Sequence, residues 1–302
     1  MQRTQTDLLT LAGQYANERK VSASTVVKEI LHYEILYALV QSGAAGQLTF
    51  QGGTALRLCY QGTRYSEDLD FAGGQEFRPE SMAPFGDVLQ KEIGAAYGLQ
   101  VEIKPPKDKE PEEGIAVARW SAKVHVPQVD RTVQQKQVIN IEVASVPAHD
   151  VDLVPVAANY PHLPAVLRQM LITAETPKEI LADKIVALGA RPFLKARDIW
   201  DIKFLTDRQI APDMDLVARK LTDYGWDQDD FKQKLEAKLI QLDDPATAQA
   251  FQHEMTRFVD STVAAQLENK ALTAMFLRRS KELGQTVLRT DLDIDDAPRM
   301  RP

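Results

Sequence analysis

The sequence predicts an α+β chain: a small mixed β-sheet domain with N-terminal helices over residues 1–165, then an all-helical domain over 166–302. Three observations lead there. Helical and strand-like hydrophobic periods alternate up to about residue 165. From about residue 166 helical patterns follow one another to about residue 284, and strand-like alternation all but disappears. The chain of 302 residues, 44% hydrophobic and 26% charged, has a globular composition and is long enough for two cores.

Two helical segments open the chain. In STVVKEILHYEILYALVQSG, Ser24 or Ser22 is placed to cap the N-terminus, and Val26, Val27, Ile30, Leu31, Tyr33, Ile35, Leu36 and Leu39 give a broad apolar face that ends at Gly43. Residues 48–50 (LTF) read as a short strand entering a Gly52-Gly53 turn, and TALRLCY as a short helix. Residues 64–71 read as the second strand and 79–97 as a helix closed near Gly98. LQVEIK, ARWSAKVHV and QVINIEVASV follow as strands, with the charged PPKDKEPEEG loop between the first two. The tail TDLDIDDAPRMRP is expected to be disordered, so its D-x-D-x-D-D run (Asp291, Asp293, Asp295, Asp296) reads as solvated charge.

Composition excludes several classes. No apolar run approaches the roughly 20 residues of a membrane span. The start lacks the apolar stretch of a secretory signal, which implies a cytoplasmic protein. The single cysteine, Cys59, rules out an internal disulfide or a cysteine-built zinc cluster and reads as a small buried hydrophobe. A net charge of −7 argues against indiscriminate coating of nucleic acid, although the segment from Arg168 to Arg208 carries a local excess of two positive charges. Nothing resembles a coiled-coil seam, so a monomer is expected.

The chemistry concentrates in GGTALRLCYQGTRYSEDLDF, residues 52–71. Glycines at a strand-to-helix junction let a phosphate approach the backbone, and the free amides of the helix favour an anion; Thr54 is equally an N-cap. In an extended strand Asp68 and Asp70 share one face while Leu69 and Phe71 share the other. Paired carboxylates facing a cleft suit Mg2+ (or Mn2+), which prefers hard oxygen ligands shared with substrate phosphates. On INIEVAS, Asn140 and Glu142 face one way and Ile139, Ile141 and Val143 face the core; if that strand neighbours Asp68 and Asp70, Glu142 supplies a third carboxylate.

The Gly-Gly-Thr turn, the short helix and Arg-x-Ser-x-Asp-Leu-Asp-Phe resemble the nucleotidyltransferases related to DNA polymerase beta, and more narrowly the AbiEii/AbiGii toxin nucleotidyltransferases of abortive-infection and toxin–antitoxin systems. The family's second signature is present as TPKEILADKIVALGARPFLKARDIWDIKFL (176–205), so the resemblance spans roughly residues 48–205. In that signature Thr176-Pro177 starts a helix whose stripe of Leu181, Ile185 and Leu188 turns Lys184 to another face.

The resemblance implies metal binding by Asp68, Asp70 and Glu142. It implies contact of Gly53, Thr54, Arg64, Ser66 and Lys184 with a nucleoside triphosphate, with Arg197 as a further phosphate clamp. Asp198 would orient Arg197 or Lys184, and Asp68, Asp70, Lys184 and Asp198 would carry catalysis. Ser66 is also a candidate for control by modification. The implied reaction moves a nucleoside monophosphate from the triphosphate to an acceptor hydroxyl, expected at the 3′ end of tRNA, and stops translation and growth in phage defence. A separate antitoxin protein would neutralise it. Two other readings stay open: nucleotidylation of a protein or small molecule, and a nucleotide-binding module without catalysis. Trp200 and Trp226 are candidate base-stacking residues, although a tryptophan on an amphipathic helix is as a rule core.

Overall fold

The computed structural model describes residues 4–106, 117–126 and 135–292. Most of the PPKDKEPEEG loop and the acidic tail beyond Leu292 lie outside the described residues. The chain forms two compact units: the described residues up to Glu175 together with Thr256–Ala265, and Thr176–Met255 together with the described residues from Gln266. The first unit thus runs past the 165/166 division read from the sequence, because a strand over Leu171–Glu175 belongs to its sheet.

In the first unit, α1 (Gln5–Arg19) starts on a capping box in which Thr4 and Asp7 satisfy each other's backbone amides. Ser22, rather than Ser24, caps α2 (Ala23–Gln41) by accepting from the Thr25 amide. Ile30, Leu31, Tyr33, Ile35, Leu36 and Leu39 of α2 are all fully buried, and they make this helix the spine of the unit. Gly43, at φ 77°, ends it.

A seven-stranded mixed sheet holds the rest: β1 (Thr49–Gln51), β2 (Leu69–Ala72), β3 (Gln100–Lys104), β4 (Val117–Val126), β5 (Gln135–Ala144), β6 (Val151–Pro155) and β7 (Leu171–Glu175). Their order is β3-β4-β5-β2-β1-β7-β6. The β2–β5 and β1–β7 pairs are parallel and the other pairs antiparallel. Between β1 and β2 lies α3 (Gly52–Cys59). Two shorter helices, α4 (Phe85–Leu89) and α5 (Ala165–Arg168), complete this stretch.

Several elements differ from the sequence reading. Residues 64–68 are not strand. Their backbone groups bond elsewhere: Tyr65 donates its N–H to the Phe258 carbonyl at 2.7 Å, and the Glu67 carbonyl faces His32 Nε2 at 3.1 Å. The single helix expected over 79–97 is broken: a 3-10 turn at Pro79–Met82 precedes α4, and a π-helical stretch at Gln90–Ala95 follows it. Strand β6 carries no alternation in its sequence because it is a sheet edge with Val151 and Leu153 exposed. Strand β7, in the region read as wholly helical, hides its alternation in Thr, Ala and Glu.

The second unit is helical. Its helices are α6 (Pro177–Ala190), α7 (Ala196–Asp207), α8 (Met214–Asp223), α9 (Gln228–Gln241), α10 (Pro245–Met255) and α12 (Lys270–Arg289). Between α10 and α12 the chain returns to the first unit, where α11 (Ser261–Gln266) begins. Helix α6 begins as its sequence predicts, with Thr176 accepting from the Glu179 amide and Pro177 in the first turn. It packs against α7, α8 and α9, and Ile180, Leu181 and Ile185 are buried there. Among the described residues no helix is long and apolar enough to cross a membrane.

Candidate active site

The turn between β1 and α3 is built from glycine for two reasons. Gly52 has φ +77°, and a Cβ there would lie 2.9 Å from Asp70 Oδ2. At Gly53 a Cβ would overlap the Arg64 guanidinium. Thr54 is fully buried and donates its hydroxyl to the Asp68 carbonyl. Arg64 is only 4% exposed, with Nη1 donating to the Tyr65 carbonyl at 3.0 Å. Thr54 and Arg64, expected to touch phosphates, are both buried. They tie the glycine turn to the segment that leads into Asp68. Ser66 lies half-buried on that segment.

Within β2, Leu69 and Phe71 are buried and Asp70 is half-buried, as alternation requires; Asp68, just before the strand, is half-buried too. Asn140 donates to Asp68 Oδ1 from its backbone amide at 3.3 Å and from Nδ2 at 2.9 Å. Across four strands Gln51, Asp70, Glu142 and Arg119 are successive register partners, so they share one face of the sheet. Glu142 is therefore the direct neighbour of Asp70, but its carboxylate is held by Arg119 Nε at 2.7 Å. Among the described residues, no group of three or more His, Cys, Asp or Glu stands arranged to hold a metal ion.

A divalent cation nonetheless fits the donor chemistry. Asp68, Asp70 and Glu142 are hard oxygen donors, and the buried Oε1 of Gln51, opposite Asp70, has no hydrogen-bond partner. Gln51, Arg119 and Asn140's tie to Asp68 were not assigned from the sequence. Only the register of the sheet brings them to this row, and a local pattern carries no signal of it.

Beneath the same segment His32 is fully buried on α2, and burial lowers its pKa to about 4. Glu67 meets Lys28 at 3.9 Å and Arg257 at 3.6 Å. Arg257 and Phe258 come from the Thr256–Ala265 segment, which is further tied by the Ser261 amide to the Lys20 carbonyl at 3.0 Å. The Cys59 thiol is pushed up to about 12 by burial, which makes it an inert packing residue.

In the second unit, Lys184 is 8% exposed, and its Nζ meets Asp198 Oδ1 at 2.8 Å and Asp201 Oδ2 at 3.1 Å. The second oxygen of Asp198 takes Arg191 at 2.6 Å. Of the two residues Asp198 was expected to orient, it holds Lys184. Arg197 lies 3.8 Å from Glu254. A second lysine cluster joins α8 to α6: the fully buried Lys220 of α8 meets Glu179 at 2.7 Å and Asp183 at 3.2 Å on α6. Trp200 is core, stacked on Phe276 with ring centroids 4.6 Å apart.

Comparison with known proteins adds a family match. The profile described as "Nucleotidyl transferase AbiEii toxin, Type IV TA system" matches residues 34–276. A provisionally assigned nucleotidyltransferase from H. pylori has a solved structure similar at TM-score 0.48 and 19% identity, over 88% of this chain and 97% of that one. JHP933 from Helicobacter pylori is similar at TM-score 0.47 and 18% identity, over 88% of this chain and 94% of that one. The comparison with curated proteins gave no match.

Proposed function

Because this chain belongs to the AbiEii family of nucleotidyl transferase toxins of type IV toxin–antitoxin systems, we propose that it transfers a nucleoside monophosphate to an acceptor hydroxyl at the 3′ end of tRNA. The observation that supports this reading best is the pair Asp68 and Asp70 on one face, next to the Gly52-Gly53 turn and in register with Glu142. The acceptor oxygen attacks the α-phosphorus, the bond to the bridging α–β oxygen breaks, and pyrophosphate leaves. The acceptor proton passes to a carboxylate of the same face.

Asp68 and Asp70 would hold magnesium or manganese, with Glu142 joining them once its ion pair with Arg119 opens. A bound divalent cation would polarise the phosphoryl oxygens and stabilise the charge on the departing pyrophosphate. Gly53 and Ser66 would lie along the triphosphate. Thr54 and Arg64 act in this reading as positioning residues for the glycine turn and Asp68. Lys184, aligned by Asp198 and Asp201, would meet phosphate charge, and Arg197 would clamp it further. The outcome would be blocked translation and growth arrest in the cytoplasm, as a monomer neutralised by a cognate antitoxin protein, in the service of phage defence.

The purified chain should be incubated with each labelled nucleoside triphosphate, magnesium and total RNA. Labelled tRNA, with a mass shift mapped to one end, is the expected result, and Asp68→Ala should abolish it while leaving the fold intact. Full activity of that variant would sink the mechanism. One observation favours a second reading, a nucleotide-binding module without catalysis: the carboxylate of Glu142 is already engaged by Arg119. Nucleotide binding without label in RNA, protein or small molecules would favour it. Label on protein or on a small molecule would move the acceptor.

A further inference from the structure

The loop between α6 and α7 reads Arg191-Pro192-Phe193-Leu194-Lys195. Phe193 is 67% exposed and is the only aromatic among the large exposed hydrophobic side chains of the described residues. A phenyl ring left in water forgoes the stabilisation of burial, yet this loop is tied down on both flanks. The Arg191 amide donates to the Ala187 carbonyl at 3.2 Å, and the Arg191 guanidinium meets Asp198 at 2.6 Å. Lys238 Nζ donates to the Pro192 carbonyl at 2.6 Å. Beyond the ring, the Lys195 carbonyl accepts from the Asp198 amide at 3.0 Å, which anchors the start of α7. The ring is thus presented by a braced loop.

Basic side chains flank it, two of them also facing acids: Arg191 meets Asp198 at 2.6 Å and Arg197 lies 3.8 Å from Glu254. Lys195 Nζ lies 5.6 Å from the ring centroid, within the range of a cation–π contact. Arg191, Lys195 and Arg197 fall within seven residues that contain no acidic side chain. A protein-docking anchor is normally ringed by apolar and polar neighbours that exclude water. A ring flanked by cations matches a base flanked by phosphates instead. The three tryptophans do not compete for this role: Trp120 is buried, Trp200 is buried against Phe276, and Lys234 Nζ lies 3.9 Å from the centroid of Trp226.

We propose that Phe193 is a stacking platform for an unpaired base of single-stranded RNA, with Lys195 and Arg191 meeting the phosphates on either side. The assignment rests on the reading above that RNA is the acceptor, and it names a residue that grips it. Stacking of one base on an aromatic face is worth roughly five- to 150-fold in affinity, and it tolerates any base.

The test uses the full chain and a short fluorescein-labelled single-stranded RNA, read by fluorescence anisotropy at low salt. Phe193→Ala should weaken binding about tenfold, Phe193→Leu should weaken it similarly, and Phe193→Trp should keep it. A blunt RNA duplex should bind wild type and Phe193→Ala equally. Circular dichroism melts should be unchanged, because the ring packs little. Nucleotidyl transfer is measured separately, so a failure of the chemistry with Phe193-dependent binding intact counts against the reaction and for the platform. Three results would overturn the platform: no single-stranded binding by wild type, Phe193→Ala binding within about twofold of wild type, or equal weakening on the duplex. The second includes the case in which Phe193→Ala releases a protein partner and leaves RNA binding alone.

Discussion

Asn140 directs both its backbone amide and its side-chain amide onto the same carboxylate oxygen of Asp68, at 3.3 and 2.9 Å. The pair joins β5 to the segment just before β2, so the orientation of Asp68 is set by a strand far away in sequence. If Asp68 holds the metal as proposed, such supporting bonds typically carry a 10- to 100-fold effect on metal affinity or activity. Asn140→Ala should therefore raise the magnesium concentration at half-maximal transfer by about that factor, with little change in thermal stability. A magnesium titration of transfer checks it; an unchanged midpoint would remove Asn140 from the site.

The two glycines should fail differently. Gly53→Ala drives a methyl group into the buried Arg64 guanidinium and should lower the free energy of unfolding by about 1–3 kcal/mol in a urea titration. Gly52→Ala places a non-glycine residue at φ +77° with its Cβ 2.9 Å from Asp70 Oδ2. Strain there is about 1–2 kcal/mol. Its larger effect should be on transfer, through the displaced carboxylate. Equal loss of stability and activity in both variants would contradict this division.

Lys184 carries a structural burden beside any role in binding. Removing its charge leaves Asp198 and Asp201, each buried, with one cation fewer between them. Breaking a buried pair in this way typically costs about 3–5 kcal/mol. Lys184→Met should be destabilised on that scale in chemical denaturation, and Asp201→Asn less so, because Asp198 keeps Lys184. Activity of Lys184 variants must accordingly be compared at matched folded fractions.

Acid should loosen the first unit through His32. Its pKa falls from 6.5 to about 4 on folding, mainly through burial, so between those values the unfolded chain binds more protons than the folded one. The stabilisation is complete above about pH 6.5 and is lost as pH falls towards about 4, at up to about 1.4 kcal/mol per pH unit. His32→Gln should flatten that part of the stability profile. An unchanged slope would place the acid sensitivity elsewhere.

Local periodicity was enough to read Asp68 and Asp70 onto one face, Leu69 and Phe71 onto the other, and the start of α6 at Thr176-Pro177. The nearness of Glu142 to Asp70 was a condition that only sheet order resolves, since β2 and β5 pair in parallel across a long stretch of chain. The engagement of Glu142 by Arg119 follows from the register of a third strand, β4. Burial adds what residue type does not carry: Arg64 and Thr54 are buried, and each bonds a backbone carbonyl of the segment leading into β2. The strand read over 64–71 shortens for a similar reason, because Tyr65 and Glu67 bond to distant parts of the chain.

The return of Thr256–Ala265 to the first unit sets an order of events during biosynthesis. Every acidic side chain of the candidate active site in that unit is synthesised well before Arg257 and Phe258, the residues that grip Glu67 and Tyr65. At roughly 5–20 residues per second, the intervening helices delay that grip by some seconds. A nascent or truncated chain that stops before Thr256 therefore holds the carboxylates but lacks the anchor for the segment leading into them. For a toxin, this arrangement would tie potency to synthesis through the Thr256–Ala265 segment.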